Sequence, residues 1–204
     1  MPDTAYLCCA MKEHTYPSFQ DIGYDAESQT IACCKDAVPL LWLAIFRSVD
    51  MRYDFLNFKG PAFRQPAPVI HRFAVGKRLK ESLPRIEAIL AQGNSLHEYA
   101  SHLREAIASV DPDFQFLTIE MHDVAAASEA EVFYDRFRQI LDFMDGRVVA
   151  DIIEIITSIC ALHIDRPILP LSAFIDEKPC KEDWENLVSM LGDRHDRDLP
   201  WIQR

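Results

Sequence analysis

With 204 residues the chain can bury a core without a disulfide or metal staple, and a single domain is expected. Its 49% hydrophobic and 26% charged side chains exclude a disordered chain. The net charge of −11 belongs wholly to the latter part: residues 1–110 carry 12 acidic and 12 basic side chains, residues 111–204 carry 20 and 9. A field of that sign repels nucleic acid and anionic lipid and favours a basic protein partner or simple solubility. No apolar run reaches the roughly 18 to 20 residues of a membrane span, and the first residues lack the basic and apolar regions of a signal peptide, so a cytoplasmic location is expected.

Residues 4–11 are apolar on both alternating faces, which suits an interior strand. The polar segment 12–28 predicts a loop that closes a hairpin onto residues 29–34. The most apolar stretch of the first half, residues 30–46, reads as that second strand turning into a helix. Asp36 is the expected N-cap, Pro39 lies in the first turn, and residues 40–46 are apolar nearly all round. Residues 50–68, with three prolines and the rings of Tyr53, Phe55, Phe58 and Phe63, predict a long irregular connection. Residues 70–75 predict a short strand.

Leu79, Leu83, Ile86, Ile89 and Leu90 recur at helical spacing over residues 76–92, with Pro84 expected to kink the helix and Gly93 to end it. Ser95 and Glu98 read as a capping box for a helix over residues 96–109. Asp111-Pro112-Asp113 predicts a turn, and the alternation over residues 114–121 predicts a strand. Ser128 and Glu131 read as a second capping box, opening a helix with the buried face Phe133, Phe137, Ile140, Leu141 and Met144. Residues 147–163 read as a buried helix with one wet stripe of Arg147, Asp151, Glu154 and Ser158. A proline-rich tail then leads to a short amphipathic helix near Trp184, Leu187, Val188 and Leu191. The fold class is thus α/β in the wide sense (α+β), a small, mostly antiparallel sheet covered by five or six helices, with an acidic helical half over residues 111–204.

Six cysteines include two vicinal pairs, Cys8-Cys9 and Cys33-Cys34. In a strand each pair points one thiol to either face, which argues against a four-cysteine zinc cage and for buried structural thiols. A nucleophilic thiol needs a base, for which His14, His71 and His163 are candidates. His122-Asp123, His163-Ile164-Asp165 and His195-Asp196 each offer half of a metal motif with no matching half, so no metal is expected. Asp151 and Glu154 lie three apart on one helix, as a paired-carboxylate site requires, but an ion pair of Arg147 with Asp151 is the simpler account. With six glycines and no phosphate-cradling loop, no nucleotide cofactor is expected. The line Glu131, Asp135 and Asp142, partly neutralised by Arg138, is a solvated helix face or a docking surface. The docking reading gains from Asp176, Glu177, Glu182, Asp183 and Glu185 in the same half.

Tyr6-Leu7, then Val38-Pro39-Leu40-Leu41-Trp42 opening the first helix, then Phe116-Leu117-Thr118-Ile119-Glu120 after two helices, make an order of elements over residues 4–145. That order resembles bacterial immunity proteins encoded beside Rhs-type and type VI secretion toxins. The resemblance implies a cytoplasmic protein, not an enzyme, that binds a cognate toxin and occludes its active site or substrate entrance. On that reading Glu131, Asp135, Asp142, Asp176, Glu177, Glu182 and Asp183 face a basic partner. The alternatives are a small cytosolic enzyme using a cysteine or paired carboxylates in a pocket of the 50–68 loop, and an interaction module with a nontoxic partner.

Overall fold

Alternating apolar residues give the strands two usable faces, and the sheet uses both. The computed structural model describes residues 3–11, 13, 28–56, 64–90, 95–176 and 179–193, without the side chains at 53–56, 64, 65 and 176. Strands β1 (Thr4–Ala10), β2 (Ser28–Lys35), β3 (Met51–Leu56), β4 (Arg64–His71) and β5 (Phe116–Glu120) form one sheet in the order β2-β1-β5-β4-β3. Every neighbouring pair is antiparallel. The helices are α1 (Leu40–Leu43), α2 (Val75–Ile89), α3 (Ser95–Ser109), α4 (His122–Ala126), α5 (Ala130–Met144), α6 (Ile152–Cys160), α7 (Ala173–Asp176) and α8 (Lys181–Leu191). Among the described residues five of these span nine residues or more, and none is long and apolar enough to cross a membrane. The fold class is α+β, with an antiparallel sheet under a helical layer.

One core takes Leu7, Cys9, Leu117 and Ile119 from the sheet and the apolar stripes of the helices, running from Ala5 to Leu191. Tyr6, Cys8 and Cys33 are buried on the opposite face, as are Ala67 and Val69 beside Phe116. The vicinal cysteines therefore split as their strand geometry requires, Cys9 and Cys34 into the main core, Cys8 and Cys33 away from it. A register shift in the β1–β2 ladder pairs Leu7 with Ala32 and Cys8 with Thr30, which leaves Ile31 as the extra residue of a bulge.

Residues 37–46 are all buried, most of them wholly, yet only Leu40–Leu43 are α-helical. Asp36 does not cap this helix. Its φ is 59°, its amide donates to the Asp3 carbonyl at 2.6 Å, and its carboxylate lies beside Lys35, while Pro39 holds the cap position. The segment after α1 ends on Arg47, whose guanidinium donates to the carbonyls of Ala44 (3.0 Å), Phe46 (2.8 Å) and Arg78 (3.0 Å). The bonds to Ala44 and Phe46 satisfy carbonyls that a longer helix would have paired internally, and the third ties Arg47 to α2.

Residues 50–68 contain strands rather than an irregular connection. Pro66 and Pro68 fall in the half of β4 that ladders only with β3, because β5 pairs with Val69, Ile70 and His71 alone, so a missing amide is tolerated there. Phe58 and Phe63, and the side chains of Tyr53 and Phe55, lie outside the described residues. The expected strand over 70–75 ends at His71, and α2 starts at Val75. Helix α2 continues through Pro84, whose ring is exposed. Gly93 lies outside the described residues.

Neither predicted capping box forms. Glu98 receives the amide of Leu171 (3.2 Å), and Ser128 donates to the Val124 carbonyl (3.2 Å) while Glu129 takes the cap position of α5. The box that does form joins Cys180 and Asp183 at the start of α8. The buried face of α5 is the predicted one, Phe133, Phe137, Ile140, Leu141 and Met144. The expected long helix over 147–163 is shorter, Ile152–Cys160, because Gly146 and Asp151 both take positive φ and break it. It is also half exposed, with Val148, Ile153, Glu154 and Thr157 in solvent.

The end of α8 is locked to the sheet. Asp193 and Cys33 exchange backbone bonds of 2.7 and 2.8 Å, and the wholly buried Trp42 donates from Nε1 to the Leu191 carbonyl at 2.9 Å. Gly192 makes this closure possible, at φ +79° with any Cβ falling against the Trp42 ring and 2.7 Å from the Cys33 carbonyl oxygen. Gly192→Ala is expected to lower stability by about 2 to 4 kcal/mol through strain and overpacking, read as a lower urea midpoint at unchanged slope. An unshifted midpoint would show that the closure is slack.

Candidate functional site

Five of the six thiols are buried, and burial pushes Cys8 and Cys9 up to about 12 and Cys34 and Cys160 well above the ordinary thiol range. A thiol held so far from ionisation is a poor nucleophile. Cys180 alone is exposed. Bonds to the carboxylates of Glu182 and Asp183 raise its pKa too.

The histidine motifs separate. The amide of His122 bonds to Glu120 (2.7 Å), and His163 Nε2 meets Glu185 at 2.9 Å. His14, His195 and Asp196 lie outside the described residues. Among the described residues no group of three or more His, Cys, Asp or Glu is placed to hold a metal ion.

The predicted docking carboxylates fall into two sets. On α5, Glu131 and Asp135 are exposed, Asp135 accepting from Gln139 (2.7 Å) and lying 3.8 Å from Arg138. Asp142 is half-buried and bound to the Ser48 hydroxyl and to Arg147. Arg147 therefore pairs with Asp142 and not with Asp151, because the helix break turns it back toward α5. On α8, Glu182 and Asp183 are both within reach of Arg166, at 3.9 and 3.1 Å, and Asp183 caps the helix. The side chain of Asp176 and all of Glu177 lie outside the described residues.

Helices α5 and α6 pack on each other, and Ser128, Glu129, Val132, Phe133 and Arg136 line one small depression with Ser158 and Ile159, so the two run in opposite senses. Five carboxylates on these helices and their caps are exposed, Glu129, Glu131, Asp135, Asp151 and Glu154, and so are Arg138 and Arg147. Val132 on α5, Val148 in the connection and Ile153 on α6, one turn before Thr157, are three of the large apolar side chains left exposed among the described residues. Asp151 and Glu154 thus stand in solvent, not in a cleft. Exposed apolar side chains among charged ones are the composition of a protein-binding surface.

Sequence reasoning passed over the apolar part. Val132 follows Glu131 and falls off the stripe of Phe133, Phe137 and Ile140, which was the available signal. Val148 and Ile153 were absorbed into the expected buried helix.

Two hollows compete with this surface. A cleft of about 290 Å³ gathers Glu13, Asp50, Arg52, His71, Arg78 and Phe116. Both of its arginines are already matched, Arg52 to Glu13 at 2.8 Å and Arg78 to Asp50 at 3.3 Å. Burial raises the pKa of Asp50, opposed by Arg78 and by the Arg47 amide at 2.7 Å. A larger groove of about 660 Å³ lies between α8, the end of α6 and the end of β2.

The chain was compared with protein-family models, curated proteins and solved structures, and none of them matches it. What it does must be argued from its own residues.

The cap of α8 titrates. The thiol of Cys180, its amide and Arg166 hold the Asp183 carboxyl below the ordinary aspartate value of 3.8, against a smaller opposing effect of burial. A lowered folded pKa contributes stability that is complete above the unfolded value and is lost as pH falls through the folded one. Asp183→Asn is therefore expected to flatten the loss of stability below about pH 4, by a small amount because the group is near solvent. Urea melts of both proteins across that acid range check it, and parallel pH dependences would refute it.

Proposed function

We propose that this chain is a cytoplasmic immunity protein, a non-catalytic inhibitor that binds a toxin with a basic surface and lies across its active site or substrate entrance. The observation that carries the reading is the α5–α6 region, where five carboxylates and the apolar side chains of Val132, Val148 and Ile153 are all exposed. Its carboxylates would speed encounter with a basic partner, and its apolar side chains would supply close packing once the partner is seated. Asp142, Glu182 and Asp183, each bonded within the chain, would contribute to the long-range field more than to direct pairing. The rival enzyme has less support, since five of its six thiols are buried, the exposed Cys180 is bonded to the Asp183 cap, and the arginines of the polar cleft are neutralised by Glu13 and Asp50.

The test is co-expression with the product of the neighbouring gene, which should kill alone and be tolerated with this chain. In the purified pair, Glu131→Lys with Asp135→Lys and Glu154→Lys should slow association by about 10- to 100-fold at low salt, with little effect at high salt. Val132→Asp should act on dissociation instead. An unchanged association rate would remove this surface, and a neighbouring product that is harmless alone would remove the immunity reading.

A further inference from the structure

The groove beside α8 has walls fixed by hydrogen bonds. After α6 the chain reverses at Ala161, a non-glycine residue at φ +53°, and this bend is fastened to α8. The buried Asn186 accepts from the His163 amide (2.8 Å) and donates to the His163 carbonyl (3.1 Å), while Ser189 Oγ donates to the Ala161 carbonyl (3.1 Å). At the other wall, the Val38 amide donates to the Ile159 carbonyl at 3.0 Å, tying the end of β2 to α6. Helix α8 turns Lys181, Trp184, Glu185 and Val188, three and four residues apart, into the space between. Trp184 is itself braced edge-on by Phe174, with ring centroids 4.8 Å apart.

The lining is chemically lopsided. Its floor is apolar, from Ala37, Leu162, Trp184 and Val188, and its volume of about 660 Å³ lies in the range of small-molecule sites. Its ionic members are Lys35, Lys181 and Glu185, with the imidazole of His163 beside them. In a chain of net charge −11 this hollow therefore collects two lysines and a histidine against one carboxylate. That carboxylate is engaged on both oxygens, by His163 at 2.9 Å and Lys181 at 3.0 Å. Lys35 is left with Asp36 at 3.7 Å, beyond a hydrogen bond, and with two thirds of its side chain in solvent.

We infer that this groove binds a small apolar molecule ending in a carboxylate, its body on Trp184 and Val188 and its acid group at Lys35 on the rim. An alcohol of the same length would lack the charge, and an amine would meet the lysines unfavourably. The groove borders the proposed partner surface at α6, where its Thr157 donates to the Ile153 carbonyl, but Lys35, Trp184 and Val188 are not residues of that surface, so substitutions there test the groove alone.

The full chain is titrated with octanoate, octanol and octylamine while tryptophan fluorescence is followed, with Trp184→Phe identifying the reporting ring. Octanoate should bind about tenfold more tightly than octanol, with octylamine weakest. Lys35→Ala should reduce octanoate affinity several-fold and leave octanol unchanged. Val188→Phe, which fills a half-exposed position in the lining, should abolish binding of octanoate and octanol while the thermal midpoint holds. If Val188→Phe unfolds the chain, competition between octanoate and octanol on the unaltered protein replaces it. Equal affinity for octanoate and octanol, no binding of either, or octanoate binding that survives both substitutions would overturn the inference.

Discussion

The architecture depends on how one buried cation ends one buried segment. Residues 37–46 leave no surface for water, yet the backbone stops being helical after a single turn and needs partners for its last carbonyls. Arg47, 3% exposed, supplies them, and its guanidinium also lies 3.5 Å from Glu81 and 3.6 Å from Asp145. Burial draws its pKa down, but an arginine starts high enough to stay charged. The same group thus ties the core segment to α2 and to the end of α5. Ser82 adds a bond of 2.8 Å to the Ala44 carbonyl, and Arg85 reaches the Met144 carbonyl at 2.8 Å. An apolar residue at position 47 would take this donor from the Phe46 carbonyl and leave the Ala44 carbonyl to Ser82 alone, which is why a charge stands at the end of the most hydrophobic part of the chain.

The parts of the fold legible in the sequence are those governed by periodic burial. The strands of β1 and β5, the buried face of α5 and the stripe of α8 follow from which positions repeat, and a repeat survives small errors in the ends of an element. Capping was not legible, because a candidate cap can be taken by another partner, near in sequence for Ser128, which turns back to Val124, and distant for Glu98. Glu98 goes to Leu171, 73 residues away, and Asp142 goes to Ser48, 94 residues away. The β3–β4 pair was hidden by its prolines, whose meaning depends on whether a second strand lies beside them. For α6, a run of isoleucines predicts a buried helix with one narrow wet stripe, whereas the left-handed turns at Asp151 and Ala161 shorten it, and Ile153 and Thr157 widen its wet side.

The acidic field has a similar history. Composition locates the negative excess in residues 111–204 but not which carboxylates are free, and the chain itself uses several of them. Glu185 and Asp183 are held below their ordinary pKa values by Lys181 and His163 in one case and by Cys180 in the other, so they serve α8 before any partner. Asp142 organises the turn at Ser48. The other carboxylates of α5 and α6 stay outward, with Asp111, Asp113 and Asp165 elsewhere, and the exposure of Val148 and Ile153 follows from where α6 begins.

The distribution of sulfur over the sheet makes the molecule its own gauge of opening. Neighbouring cysteines face opposite sides of β1 and of β2, so the two members of each pair are sealed by different packing. A thiol reagent in solvent meets Cys180 in the closed protein and gains the others only as each layer parts. The order in which Cys8 and Cys33 become modified relative to Cys9, Cys34 and Cys160 would therefore record which side of the sheet loosens first, with no label introduced.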